Sequence, residues 1–191
     1  MLSIVPQKNV LAVTLAGLLS LSIVHETKAQ TDFGFNFGHV LTVDGLPESV
    51  GVGDVNNDGL NDLVVVNNSF SNLSLRNHVL VYEQDENGAL SLAAALEYSD
   101  SASSGRGVEL MDLDGDDDLE IVVGHFGNLS TVNYDNGAYV MSESSGGEGN
   151  RVVEAIDLNR DGFKDLVGLH ISQGINVYMS NTEGDLVFDR T

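Results

Sequence analysis

Apolar residues recur along this chain with a period of two, in short runs closed by Gly, Asn and Asp. Val50 and Val52, Val108 and Leu110, and Val153 and Ala155 alternate with other residues just before three acidic strings. Each string is followed by a compact aliphatic run: Leu63 to Val66, Ile121 to Val123, and Leu166 to Leu169. Alternation, then a turn, then a short apolar run predicts strand–loop–strand, three times over. Neither flank of any string has helical spacing. His78 to Glu83 predicts a further strand, closed by a turn at Asp85-Glu86-Asn87-Gly88, and Leu90, Leu92, Ala94, Leu96 and Tyr98 alternate after it. In the second unit Ala138 to Met141 takes the place of His78 to Glu83, and the fourth strand stays unassigned. In the third, Ile175 to Met179, a turn at Asn181 to Gly184 and Leu186 to Phe188 repeat the pattern. Phe33 to Val43 predicts one outer strand left over from another unit. Asn67 to Asn77 and Ser99 to Gly107 read as loops rich in Ser, Asn and Gly.

A unit of about four antiparallel strands in roughly 45–60 residues has the size of a propeller blade. The expected fold is therefore all-β: about three four-stranded antiparallel blades of a partial β-propeller, in units of roughly 44–98, 99–146 and 147–191, with no domain boundary between them.

The start of the chain has a different pattern. Lys8 is the only charged residue before an apolar stretch from Val10 to Val24. That stretch is shorter than the roughly twenty residues a membrane span needs. Polar residues follow, with Thr27 and Ala29 at −3 and −1 of a cut before Gln30. This layout predicts a secretory signal peptide over residues 1–29 and a mature region over 30–191. An uncleaved N-terminal anchor is the alternative. The expected location is secreted or extracellular (periplasm or cell surface in a bacterium), with no membrane insertion after cleavage.

The three acidic strings are copies of one another: GDVNNDGLNDLVVVN from Gly53, MDLDGDDDLEIVVG from Met111 and IDLNRDGFKDLVGL from Ile156. Counting from their leading aspartates, side-chain oxygens fall at positions one, three, five and nine. These are Asp54, Asn56, Asp58 and Asp62; Asp112, Asp114, Asp116 and Glu120; and Asp157, Asn159, Asp161 and Asp165. Offsets of two in a tight loop turn alternate side chains toward one point. A hard cation wants six to eight such oxygens. The lack of His and Cys at these positions selects calcium over zinc or copper, and magnesium demands a tighter octahedron. About three calcium ions are expected. Solvated acidic turns are the simpler alternative for any one loop, since Asp, Asn and Gly are ordinary turn formers. An EF-hand needs a bidentate Glu at position twelve between helices; Val65, Val123 and Gly168 stand there.

Composition narrows the function. Asp and Glu number 29 against 8 Lys and Arg, a formal charge of −21, while 42% of residues are hydrophobic. That apolar content supports a core. The acid excess excludes electrostatic binding to nucleic acid, which needs clustered cations, and disfavours anionic lipid. Cysteine is absent, so disulfides, thiolate metal sites and thiol nucleophiles are excluded. The histidines at 25, 39, 78, 125 and 170 are scattered and show no identifiable proton-transfer partner. No nucleophile-elbow or phosphate-cradling string is present, and the dense carboxylates are already assigned to the ion loops. The reading is non-catalytic. The sequons Asn67-Asn68-Ser69, Asn72-Leu73-Ser74 and Asn128-Leu129-Ser130 matter only in a eukaryotic secretory pathway.

DVNNDGLNDLVVV, DLDGDDDLEIVV and DLNRDGFKDLVGL, with INVYMSNTEGDLVF after the last, resemble FG-GAP/VCBS repeats, the blades of integrin-alpha-type β-propellers. The resemblance covers nearly all of residues 30–191. It implies a calcium ion in each strand–loop–strand, with a backbone carbonyl at position seven as a further ligand: Leu60, Asp118 and Phe163. The second copy departs from the pattern, with Gly115 at position four and Asp117 at six, where Gly59 and Gly162 stand in the others. That departure puts its turn geometry, and whether it binds calcium, in question. Arg160 and Lys164 flank the third loop and should weaken it. Such propellers usually have about seven blades, so three need the rest from a longer chain or from self-assembly, with a fragment favoured. The expected function is a secreted calcium-binding repeat protein for adhesion or for recognition of a protein or carbohydrate ligand. A repeat module of a larger secreted hydrolase or lyase is the alternative, and a surface-anchored receptor of integrin-alpha type the third.

Overall fold

The structure is a computed structural model. It describes residues 9–13, 21–25, 40–68, 77–98, 107–125, 129–144, 150–170, 174–181 and 184–189. The chain divides into two compact units, Met1–Leu41 and Thr42–Thr191. In the first, strands β1 (Asn9–Val13) and β2 (Leu21–His25) pair antiparallel, with Asn9 opposite His25 and Val13 opposite Leu21. They use the two ends of the apolar stretch. No helix among the described residues is long and apolar enough to cross a membrane.

The second unit holds three four-stranded antiparallel sheets, each a meander in chain order. The first comprises β3 (Leu46–Gly53), β4 (Asp62–Asn68), β5 (His78–Gln84) and β6 (Leu90–Glu97). The next is formed by β7 (Gly107–Met111), β8 (Glu120–Gly124), β9 (Leu129–Asp135) and β10 (Ala138–Ser144). β11 (Asn150–Ile156), β12 (Asp165–His170), β13 (Gly174–Ser180) and β14 (Leu186–Asp189) complete the set. Every described strand outside the first unit belongs to one of these sheets, and none closes into a barrel.

The sheets are held face to face by apolar side chains. Val64, Val66, Val79 and Val81 of the first sheet bury against Val108, Ile121, Val123 and Val132 of the second. The second sheet's opposite face, with Met111, Val122 and Leu129, packs on Val153, Leu166 and Tyr178 of the third. Burying one such side chain is worth about 1.5–3 kcal/mol, against about 1 kcal/mol net for a hydrogen bond. Face packing therefore outweighs cross-sheet hydrogen bonds such as those from Val108 N to Ser49 Oγ at 3.3 Å and from Tyr139 Oη to Glu83 Oε1 at 2.9 Å. The first strands of the three sheets, β3, β7 and β11, run side by side. Gly51 and Gly53 let β3 approach: a Cβ at Gly51 would lie 3.1 Å from Leu110, and one at Gly53 2.9 Å from Leu119.

Four expectations are corrected. In the second sheet Ala138 to Met141 begins the fourth strand, and the third is β9, whose LSTVNYD string hides its alternation behind Ser, Thr and Asn. Asn136 and Gly137, with φ of 50° and 83°, join the two as a two-residue hairpin whose flanking pair is Asp135 and Ala138. The alternation from Leu90 does not stay on one face. Val81 pairs with Ala94 and Tyr82 with Leu92, so Ala93 is an extra residue, and Leu92 faces away from Ala94 and Leu96. The outer strand expected at Phe33 to Val43 is not formed at residues 40–43, and residues 33–39 lie outside those described. The first segment expected as a loop begins inside a strand, Asn67 and Asn68 closing β4, and the second ends inside one, Gly107 opening β7. Their middles, residues 69–76 and 99–106, lie outside the described residues.

Candidate metal centres

Each acidic string forms the loop between the first two strands of its sheet, and the three loops share one hydrogen-bond scheme. The carboxylate at position one accepts the amide of position six: Gly59 to Asp54 at 2.8 Å, Asp117 to Asp112 at 3.1 Å, Gly162 to Asp157 at 3.2 Å. At position five the carboxylate accepts the amide of position seven: Leu60 to Asp58 at 2.8 Å, Asp118 to Asp116 at 2.9 Å, Phe163 to Asp161 at 2.9 Å. The side-chain oxygen at position three takes the amide of position five, from Asp58 to Asn56 at 3.0 Å, Asp116 to Asp114 at 3.3 Å and Asp161 to Asn159 at 2.8 Å. Short acidic side chains thereby fold the backbone around themselves.

Position nine ties the loop to the sheet. Asp62 accepts from Val55 N at 3.2 Å and from Gln84 N on β5 at 3.0 Å. Its counterpart Asp165 accepts from Leu158 N at 2.8 Å and from Ser180 N on β13 at 3.1 Å. In the second loop Glu120 accepts from Leu113 N at 2.8 Å. All three are buried, whereas positions three and five are mostly exposed. Burial raises the Asp62 carboxyl above the ordinary carboxylate range. Glu120 is pushed up to about 7, first by burial and then by the charges of Asp114, Asp116 and Asp112. Asp114 is raised too, by its partial burial and then by Asp116.

The second loop keeps the geometry of the others despite its altered sequence. Positions four and six have positive φ in every copy: Asn57 at 61° and Gly59 at 87°, Gly115 at 82° and Asp117 at 72°, Arg160 at 64° and Gly162 at 100°. The second copy exchanges which of the two is glycine, and Asp, like Asn, tolerates this region better than most residues. Gly115 has a second reason to be glycine, because a Cβ there would lie 2.9 Å from the Phe163 ring of the neighbouring loop.

Oxygens of Asp112, Asp114 and Asp116 all lie within 4.8 Å of one another. Ligands on opposite sides of a calcium ion, at about 2.3–2.6 Å each, are separated by about 4.6–5.2 Å, so the spacing fits. Two unit charges at this spacing repel by about 1 kcal/mol in water, and by more where protein displaces solvent. Each carboxylate oxygen that accepts one backbone amide keeps a lone pair for an ion. The first and third loops carry Asn at position three and so converge less charge. Beside the second loop, Asp114, Glu120, Asn133, Asp135 and Asp185 line an acidic cleft of about 430 Å³. Gly184, just before β14, also lines it, and a Cβ there would lie 3.1 Å from Asp114.

One polar pair in the core has no local signature along the chain. His125 Nε2 lies 2.9 Å from Ser130 Oγ, and its ring stacks on Tyr98 with centroids 4.8 Å apart. His125, Ser130 and Tyr98 are all buried. His39 lies outside the described residues.

Meandering four-stranded sheets stacked face to face, each opening on the same acidic loop, define a β-propeller-like repeat module. Residues 54–123 match the FG-GAP-like repeat family, from the first aspartate of the first loop to the strand after the second. Over these residues the chain is similar to FG-GAP-like repeats. The third copy lies beyond the match and shares its loop geometry. No curated protein matches the chain.

Proposed function

We propose that this protein is an exported, calcium-binding repeat module that acts by binding and not by catalysis, in adhesion or in recognition of a protein or carbohydrate ligand. The observation that carries the reading is the repeated loop. Three strings with different residues at positions four, six and seven adopt one hydrogen-bond scheme and bring oxygen-bearing side chains to the same four positions. The metal ligands are Asp54, Asn56, Asp58, Asp62 and the Leu60 carbonyl; Asp112, Asp114, Asp116, Glu120 and the Asp118 carbonyl; and Asp157, Asn159, Asp161, Asp165 and the Phe163 carbonyl. The ion neutralises carboxylates that otherwise repel, and through position nine it ties the loop to the second and third strands. Its role is structural. Export is supported by the charge and apolar pattern of residues 1–29, and it places the loops where calcium is plentiful.

Calorimetric titration with calcium tests this directly. About three ions should bind, with magnesium competing weakly. Asp54→Asn, Asp112→Asn and Asp157→Asn should each remove or weaken one site. Heat indistinguishable from dilution for the parent protein would refute the reading.

A further inference from the structure

We propose that the chain associates with a second copy of itself head to tail, the free face of its third sheet against the free face of the partner's first. The inference stands on the packing of the sheets and not on calcium. Inside the chain the contact between sheets is directional and is made twice. Position two of the loop and alternate residues of the second and third strands look forward: Val55, Val64, Val66, Val79 and Val81 are buried against the second sheet. Leu113 and Val122 look forward in the same way onto the third. The residues between them look back: Ile121 and Val123 onto the first sheet, Leu166 onto the second.

The third sheet carries the forward-looking set with no sheet among the described residues of its unit packed against it. Leu158, Val167, Leu169, Ile175 and Val177 occupy the places of Val55, Val64, Val66, Val79 and Val81, by loop position and strand register. Val55 is 3% exposed and Val66 and Val79 0%, whereas Leu158 is 46%, Leu169 47% and Ile175 65%. The backward-looking set is spare on the first sheet. Val50 and Val52, in the places of Val108 and Leu110, are 59% and 64% exposed. Val43 already rests on the cluster of Val65, Leu80 and Tyr82 with Leu63, so an incoming copy meets this face mainly along β3 and at Leu92. Apart from Val140, the exposed large hydrophobic residues among those described lie on these two sheets or in the residues leading into the first. Each face is thus the missing half of a contact the chain makes twice internally, and the occupant that supplies both halves is another copy. Such a heterologous contact closes into a ring or extends as a chain of copies. Glu154 does not forbid it: Glu109 holds the matching place on β7, at the contact between the second and third sheets, and is half-buried there.

Sedimentation velocity of the purified chain in calcium, from about 1 to 100 µM, tests the contact with two variants at exposed positions. The parent should form dimers or longer series. Val52→Lys and Ile175→Lys should each be monomeric alone. An equimolar mixture of the two should recover a dimer, because one variant retains an intact third-sheet face and the other an intact first-sheet face. A parent that stays monomeric throughout overturns the proposal. So does a dimer that either variant keeps by itself, which would indicate a symmetric contact, or a mixture that fails to pair.

Discussion

At the residue scale, the two glycines of the loops do different things. Gly59 has nothing within 4 Å of an added Cβ, whereas Gly115 faces the Phe163 ring. Gly59→Ala should therefore cost only the left-handed backbone penalty of about 1–2 kcal/mol. Gly115→Ala adds the overpacking of Phe163, a further 1–3 kcal/mol or so. Urea midpoints of the two variants should differ in that order, and equal midpoints would show that Phe163 yields freely. The same logic predicts that Asp117→Gly stabilises the second loop by about 1 kcal/mol, since the residue already sits at positive φ. A lower midpoint for that variant would mean that the Asp117 side chain makes a contact of its own.

At the element scale, Glu109 on β7 is half-buried, and its carboxyl is raised above the ordinary range by burial and then by the charge of Glu154. The sign follows from the proton balance. With the folded pKa above the unfolded one, the unfolded chain ionises first as pH rises. Stability is then lost from the ordinary glutamate value, about 4.3, up to the raised folded value. Glu109→Gln should melt above the parent at pH 7 and converge with it below about pH 4. A variant less stable than the parent at neutral pH would mean that the ionised carboxylate is held by favourable contacts.

Much of the architecture could be read from the chain, and the misses share a cause. The loops and the strands beside them were legible because carboxylate spacing and aliphatic runs are local signals. β9 was not, because Ser130, Thr131 and Asn133 break up a strand whose aliphatic anchors are Leu129 and Val132. The extra residue at Ala93 could not be seen either, since a bulge appears only when the partner strand is known. Which face of each sheet meets which neighbour depends on stacking. The closing hydrogen bonds of Asp62 and Asp165 to Gln84 and Ser180 span 22 and 15 residues, beyond the reach of any local pattern.

At the scale of the whole molecule, the proposed ions enter the stability as a sum. For a dissociation constant of about 0.1 mM, millimolar calcium contributes about 1.4 kcal/mol per site. Three sites give about 4 kcal/mol, near the lower end of domain stability. Chelation should lower the melting temperature by roughly 10 °C, with recovery on adding calcium and less with magnesium. An unchanged melt would mean that the ions, if bound, do not hold the sheets.

The amide of Asn67 has a consequence for how the chain can be produced. Its side chain is wholly buried, and Nδ2 donates to the Asp44 carbonyl at 3.0 Å. An oligosaccharide transferred to that nitrogen during translocation would remove a donor hydrogen and leave a bulky sugar where β4 must close. Yeast or animal cells that glycosylate Asn67 would then retain the product, while Ser69→Ala, which abolishes the acceptor triplet, should restore the yield in the culture medium. Equal yields of both forms would show that the transferase passes this asparagine by.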